Sequence, residues 1–403
     1  MDKINAVIAK DHKYHMNTFG ERTPVYFTHG NGMFLYGDDG RRYTDLLGGI
    51  AVNVLGHGNK ALVKAVSEQA SRLIHTSNLY YIENQALLAE RLVCLAPGMD
   101  KVFFANSGAE VNEGAIKLAR AFFYKKGRPR SRIVTAVNSF HGRTLATVTA
   151  TGQEKYSKPF APLPEGFVHI PFNDPVAAAE SINDDTCAVM LEMIQGESGI
   201  VPASEEFVTA VAQACDRHGT LLISDEIQTG MGRTGTFFAY EQYGIVPDIV
   251  TMAKGLGGGV PIGALLADAE TAAAFAPGDH GSTFGGNPLA CAASLAVLEQ
   301  YDALSLVSAA GTTGKYFMEC LKKELDPTGA VSEIRGKGLM IGIVIKAGNA
   351  PGIKAELFQR GWLVNSVGDN VLRLLPPLII TKKIIDDFCP VLAEVLLKGS
   401  RTD

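Results

Sequence analysis

Ile249-Val250-Thr251-Met252-Ala253-Lys254-Gly255-Leu256-Gly257-Gly258-Gly259 reads as a short buried strand that ends on a lysine and opens into a glycine loop. Five uncharged residues in a row, two of them β-branched aliphatics, have the length of a strand rather than of a helix. An amine at such a strand end is drawn out of water. Desolvation disfavours the ammonium form, so the amine becomes a nucleophile near neutral pH and can form a Schiff base with a carbonyl. A lone lysine after a strand more often just solubilises the surface, so the reading rests on its companions.

Working outward, four other apolar runs end on polar residues. Thr220-Leu221-Leu222-Ile223-Ser224 delivers Asp225-Glu226, and Val102-Phe103-Phe104-Ala105 delivers Asn106-Ser107-Gly108. Ile133-Val134-Thr135-Ala136-Val137 leads to Asn138-Ser139-Phe140-His141, and Ala188-Val189-Met190-Leu191 leads to Glu192. Open α/β sheets bind ligands outside the carboxyl ends of their strands. Five such ends predict one shared crevice in an α/β fold with a mostly parallel central sheet.

The chain has 403 residues, more than one compact core usually absorbs, so a large and a small domain are expected. Its 46% hydrophobic and 20% charged content fits a globular enzyme and excludes a disordered chain. A net charge of −5 leaves no basic footprint for nucleic acid. No apolar run is long enough for a membrane span, and Met1-Asp2-Lys3-Ile4 does not open a secretory signal. Cys94, Cys187, Cys215, Cys291, Cys320 and Cys389 are scattered, with no CxxC pair and no zinc-site spacing. Free thiols in a reducing cytoplasm, and no metal, are the expectation.

Strand-like and helix-like segments alternate from about residue 60 to 290, as βαβ units do. Residues 108–126 form the clearest helix: Ala109, Val111, Ala115, Ile116, Leu118, Ala119, Phe122 and Phe123 share a face. Gly114 inside it costs roughly 1 kcal/mol relative to alanine, which predicts close packing against another backbone. A second helix spans 203–218 and is closed by Gly219. After Pro288 an Ala/Leu-rich segment leads to shorter elements, 338–345 and 371–375. The division expected is 1–55 for an N-terminal segment with hairpin turns at 30–32 and 37–40, serving the small domain and dimer contacts. Residues 56–288 then form the large domain and 289–403 a small α+β domain.

Ser107-Gly108-Ala109-Glu110, between a strand and a helix, offers free backbone N–H groups and a hydroxyl to a phosphate. It reads equally as an N-cap, with Ser107 and Glu110 as a capping box. It is no Walker loop, and neither it nor 255–259 is the GxGxxG of a dinucleotide site. A phosphate cradle, a buried acid and a Schiff-base lysine together point to pyridoxal 5′-phosphate. Its pyridinium nitrogen needs an acid partner, here Asp225. Gln228 is placed to hydrogen-bond the ring's phenolic oxygen and Phe140 to stack on the ring face. His141 is more often structural than catalytic.

These residues sit in longer motifs. They are Asn106-Ser107-Gly108-Ala109-Glu110, Phe140-His141-Gly142-Arg143-Thr144, Gln195-Gly196-Glu197, residues 225–235 from Asp225 to Gly235, Ala253-Lys254-Gly255, and residues 280–288 from His280 to Pro288. Jointly, over about residues 12–395, the chain resembles class III aminotransferases, most of all their acetylornithine group. The resemblance implies fold-type I, pyridoxal phosphate held covalently on Lys254, a homodimer and a cytoplasmic location. It implies that Ser107, Gly108 and Ala109 bind the phosphate and that Asp225, Glu226, Ile227 and Gln228 surround the cofactor with Phe140. Thr283 would reach the phosphate in the neighbouring subunit.

The resemblance further implies that Arg143 holds the α-carboxylate of an acylated ornithine and that Arg373, in Arg-Leu-Leu-Pro-Pro-Leu, binds that of glutamate or 2-oxoglutarate. A planar guanidinium fork suits a carboxylate. Ser282 would contact substrate from the partner chain, and His75-Thr76-Ser77-Asn78-Leu79-Tyr80-Tyr81 would line the mouth. Glu197 is expected to pair with Arg373 until glutamate displaces it. Met193 stands where the motif often has proline, and Ser198 where it often has glycine or alanine. The implied reaction moves the δ-amino group of N2-acetylornithine to 2-oxoglutarate. Succinylornithine, succinyldiaminopimelate, ornithine and 4-aminobutyrate stay open as donors. A pyridoxal-phosphate-binding regulatory module is the non-enzyme alternative. It would need an added DNA-binding unit, and the resemblance starts too early to leave room for one.

Overall fold

The computed structural model describes residues 3–399. At its centre lies a seven-stranded sheet. From one edge to the other the strands are Lys101–Ala105, Gly263–Ala267, Ile249–Met252, Leu221–Asp225, Thr186–Leu191, Arg132–Ala136 and Phe167–Ile170. Six run the same way. Gly263–Ala267 is antiparallel to both its neighbours, so its start, not its end, lies at the carboxyl edge of the other six. The five polar-tipped strands therefore all deliver their ends to one edge, as their sequences predict. The strands Thr186–Leu191, Leu221–Asp225 and Ile249–Met252 are buried at every position, which is why they read as continuous apolar runs rather than alternating ones.

Helices cover the sheet, and their ends follow local chemistry. Gly108–Lys125 is capped by Ser107, whose hydroxyl accepts from Glu110 N. Glu110 does not close the expected capping box with Ser107; its carboxylate reaches one residue further, to Asn106 N at 2.6 Å. Gly114 in this helix meets side chains, Leu265 and His280, rather than another backbone. Glu205–His218 is capped by Ser204 and stopped by Gly219 in the left-handed conformation.

A second, antiparallel sheet orders Val331–Lys337, Met340–Ile345, Val371–Leu374 and Asn365–Val367. A third joins Phe27–Asn31, Phe34–Gly37 and Arg42–Asp45 to the C-terminal strand Trp362–Leu363, so the N-terminal hairpins pair with the C-terminal region. The helix Pro288–Ala303 packs on Lys60–Arg72, on Glu83–Leu95 and on the turn Lys254–Gly257. The change of composition after Pro288 thus precedes the change of packing partner. Leu306–Leu325 and Ala350–Gln359 pack on the second sheet. Among the described residues no single helix is long and apolar enough to cross a membrane.

Candidate active site

The carboxyl edge of the central sheet opens onto a cavity of about 420 Å³. Its walls include Ser107, Gly108, Ala109, Phe140, Arg143, Asp225, Ile227, Gln228 and Lys254. Nine residues singled out from sequence are thereby brought together from four strand ends.

Lys254 adopts φ +44°, in the left-handed region that costs a non-glycine residue on the order of 1–2 kcal/mol. Tight packing behind it holds the turn: a Cβ on Gly255 would fall 2.8 Å from Val54 Cγ1. Burial pulls the Lys254 ammonium below the usual lysine range, and Arg373 adds to the effect, while Glu197, Asp225 and Glu192 oppose it. The amine is thus prepared to act in its neutral form.

Asp225 is buried at the end of its strand. Its Oδ2 accepts from Asn112 Nδ2 and pairs with His141 Nδ1, both at 2.8 Å, and its Oδ1 accepts from Ile227 N at 3.1 Å. Asn112 also donates to His141 O and accepts from Thr251 Oγ1, which fixes the amide. Burial disfavours a charged His141, but the hydrogen bond and charge of Asp225 outweigh it and raise the imidazole's pKa. Three contacts thus hold the carboxylate in place. Asn112 and Glu192 received no role from sequence. Asn112 had a signal: it is a polar residue on the apolar face of its helix, three residues before Ala115 and four before Ile116.

Glu192 lines the cavity and accepts from Phe140 N at 2.9 Å and Gly196 N at 3.3 Å. Burial pushes its carboxyl up to about 7, against the pull of His141 and of the two amides. It ties the loop carrying Phe140 to the loop carrying Glu197.

Glu197 and Arg373 stand behind Gln228 rather than on the cavity wall. Arg373 Nη1 donates to Glu197 Oε1 at 2.6 Å and to Gly196 O, while Nη2 donates to Asn365. Gln228 Nε2 donates to the same Glu197 oxygen at 3.3 Å. Burial works to raise the Glu197 pKa, yet Arg373 leaves it below the ordinary carboxylate range. Arg143, by contrast, is exposed at the rim. Among the described residues no carboxylate pairs with it, and its guanidinium lies over the rings of Tyr156 and Phe140.

Three further expected site residues, Glu226, Ser282 and Thr283, also lie off this cavity wall, the last two having been expected at a neighbouring subunit's site. The Glu226 carboxylate turns away from the cavity and accepts from Thr229 Oγ1, Ala239 N and Tyr240 N, so its side chain fixes a neighbouring loop instead of meeting a cofactor. Thr283 is exposed and off its own chain's cavity wall. Ser282 accepts from the cavity residue Asn106 and from Gly285 N, within its own chain.

The lining fits pyridoxal phosphate. The helix Gly108–Lys125 begins at the wall, where its first amides lack intrahelical acceptors, and a Cβ on Gly108 would press to 2.8 Å from Ile227 Cδ1. Gln228 Oε1 and His141 Nε2 are buried without hydrogen-bond partners among the described residues. A phosphate cradle, an anchored carboxylate and a desolvated lysine around one cavity define a pyridoxal-phosphate enzyme of the transaminase kind.

A family model for class III aminotransferases matches residues 16–396, and the chain belongs to that family. It is 51% identical over 391 residues to the acetylornithine aminotransferase of Caldanaerobacter subterraneus subsp. tengcongensis, covering 97% of this chain and 99% of that one. It is 48% identical to the acetylornithine aminotransferase of Methanothermobacter thermautotrophicus, covering 97% and 98%. Among solved structures, the ornithine aminotransferase of Toxoplasma gondii superposes with a TM-score of 0.95 at 30% identity, covering 100% of this chain and 97% of that one. The N-acetylornithine aminotransferase of Stenotrophomonas maltophilia superposes at 0.84 with 37% identity, covering 98% and 100%. The chain is a pyridoxal-phosphate-dependent aminotransferase.

Proposed function

We propose that this enzyme transfers the δ-amino group of N2-acetyl-L-ornithine to 2-oxoglutarate, giving N-acetyl-L-glutamate 5-semialdehyde and L-glutamate in arginine biosynthesis. The observation that carries the reading is the contrast between two arginines at one lysine: Arg143 is free at the rim, and Arg373 is masked by Glu197. A donor with its α-carboxylate on Arg143 presents the far end of its chain, where the δ-amine sits, to Lys254. Glutamate must present its α-amine instead and needs the second arginine. The names of relatives at 48–51% identity favour the acetylated donor.

Bound in this cavity, pyridoxal phosphate supplies an electrophilic carbon for amine exchange and a ring that accepts electrons. The chain supplies the rest. Ser107, Gly108 and Ala109 would hold the phosphate, and Phe140 and Ile227 would flank the ring. Asp225, fixed by Asn112 and His141, would be the acid partner of the pyridine nitrogen. Gln228 would hold the phenolic oxygen, and Lys254 Nζ would anchor the cofactor. Once freed by a substrate amine, the same Nζ would carry the proton from the carbon bearing that amine to the cofactor's electrophilic carbon.

The assembly proposed is a homodimer with shared sites, located in the cytoplasm. Asn78 donates to Ser282 O and Gly285 O, and His75 packs on Phe284, so residues 75–81 and 282–286 form one surface. At and beside that surface Ile74, Leu79, Tyr80, Tyr81 and Phe284 are all exposed, a cluster of the kind that marks an interface. The partner's Thr283 would complete the phosphate site from this face. The large and small domains proposed are those expected from sequence, with the helix Pro288–Ala303 packed on the large one.

The test of substrate is a donor panel with 2-oxoglutarate. kcat/KM for acetylornithine should exceed that for ornithine and 4-aminobutyrate by at least about a hundredfold, a few kcal/mol of transition-state binding. Equal values for acetylornithine and succinylornithine would leave acylornithine transamination standing and overturn the choice of acyl group.

A further inference from the structure

We infer that Tyr156 is a positioning residue for donor specificity: its ring is the shelf that holds Arg143 in place to receive the donor's carboxylate.

Arg143 is a long, exposed side chain, and such a chain loses rotamer freedom only if something fixes it. No carboxylate among the described residues pairs with its guanidinium. What meets it is aromatic. Its guanidinium carbon lies 4.1 Å from the Tyr156 ring centroid and 5.5 Å from that of Phe140. The two rings meet edge to face, with centroids 5.9 Å apart and planes at 84°. Phe140 is in turn pinned at its backbone by Glu192. The order of support therefore runs from the sheet through Glu192 and Phe140 to Tyr156 and Arg143. A ring face attracts a planar cation while leaving its N–H fork free in the ring plane. An acid partner would have occupied that fork. An aromatic shelf thus preorganises the arginine without competing with a substrate carboxylate. Lys155 Nζ lies 4.8 Å from the same ring centroid, but Lys155 lines no part of the cavity.

This inference rests on the reading of Arg143 as the donor-carboxylate residue, and the test separates the two. The probe is N2-acetyl-L-norvaline, which has the acetylated α-amino acid end of the donor and no distal amine, so its binding to the holoenzyme is measured by calorimetry without turnover. Tyr156→Leu should weaken it about two- to fivefold, the range of one exposed cation–π contact, and Tyr156→Phe should bind like wild type. In the Arg143→Ala background, Tyr156→Leu should add nothing. In turnover, Tyr156→Leu should raise KM for acetylornithine with little change in kcat and leave the glutamate half-reaction intact. If Arg143→Ala itself binds the probe as well as wild type, the donor reading fails. If Arg143→Ala weakens binding but Tyr156→Leu does not, the shelf alone is wrong. If Tyr156→Phe is as damaging as Tyr156→Leu, the hydroxyl rather than the ring face is at work and the inference is overturned. Lys155→Ala should bind like wild type; a loss matching that of Tyr156→Leu would replace the shelf with a general cationic rim.

Discussion

Arg373 and Glu197 form a partly buried ion pair, Nη1 to Oε1 at 2.6 Å, beside Gln228 and in the field of Lys254. The guanidinium is almost wholly desolvated, so an unpaired Arg373 would be costly. Pairing also hides it from the α-carboxylate of the wrong substrate. Glu197→Ala should open Arg373 permanently. In single-turnover stopped flow the ratio of the glutamate to the acetylornithine rate should rise at least about tenfold, worth roughly 1.4 kcal/mol. An unchanged ratio, with both rates falling together, would mean that Glu197 only orders its loop.

Arg143 makes the complementary case. Arg143→Ala should slow the acetylornithine half-reaction far more than the glutamate half-reaction. A charge-assisted pair to a carboxylate is typically worth about 2–5 kcal/mol when buried, and less at this exposed rim. Equal damage to both half-reactions would refute the division between the two arginines.

Lys254 is the proposed covalent anchor. Borohydride reduction of the holoenzyme followed by peptide mapping should place the pyridoxyl group on Lys254. Lys254→Ala should lose turnover by well over the roughly 10²–10⁴-fold of a proton-transfer group, yet retain some cofactor through the Ser107–Ala109 cradle. A label on any other lysine would sink the assignment.

Much of this was legible in the sequence, for a physical reason. Strands buried on both faces must be apolar throughout, so the polar residue that ends each run stands out, and Asp225, Glu192 and Lys254 are all visible that way. Side-chain direction was not legible. Asp225 and Glu226 are adjacent, one facing the cavity and one a neighbouring loop, and nothing in the pair of letters separates them. Gly114 and the reach of Glu110 to Asn106 were missed because partners distant or offset by one residue leave no periodic trace. The packing of Pro288–Ala303 on Lys60–Arg72 and Glu83–Leu95 was not legible either: its charged residues gather near the C-terminal end rather than along one face, so the helix does not say which layer it joins.

Glu226 gives a pH signature independent of catalysis. Burial raises its carboxyl from 4.5 to about 7, although Thr229, Ala239, Tyr240 and Ser224 pull it down. Between those values the folded chain holds a proton that the unfolded chain has released. Stability should therefore fall as pH rises from about 4.5 to 7, then level off, a total of about 3 kcal/mol. In urea titrations the difference between wild type and Glu226→Gln should change by that order between pH 5 and 8 and stay constant above 8. Parallel profiles across the whole range would contradict the buried-acid account.

The dimer face yields a pair of variants. Tyr81→Asp puts a charge on a fully exposed apolar position and should weaken self-association at least about a hundredfold by sedimentation equilibrium, since burying an unpaired charge costs several kcal/mol. Activity should fall with the dimer. Thr283→Ala should leave the dimer intact but release cofactor about fivefold more readily on dialysis, the loss of one hydrogen bond. A fully active monomer at assay concentration would remove the shared site.

The central claim is that the distal nitrogen of an acetylated diamine becomes the amino nitrogen of glutamate. N2-acetyl-L-ornithine labelled with nitrogen-15 at the δ position, incubated with the enzyme and 2-oxoglutarate, tests it directly by nitrogen NMR. The account predicts that the label moves to the α-amino group of glutamate while an acetylated semialdehyde accumulates. Glutamate without label, or label retained in the acetylated compound while 4-aminobutyrate or unacetylated ornithine turns over under the same conditions, would contradict it.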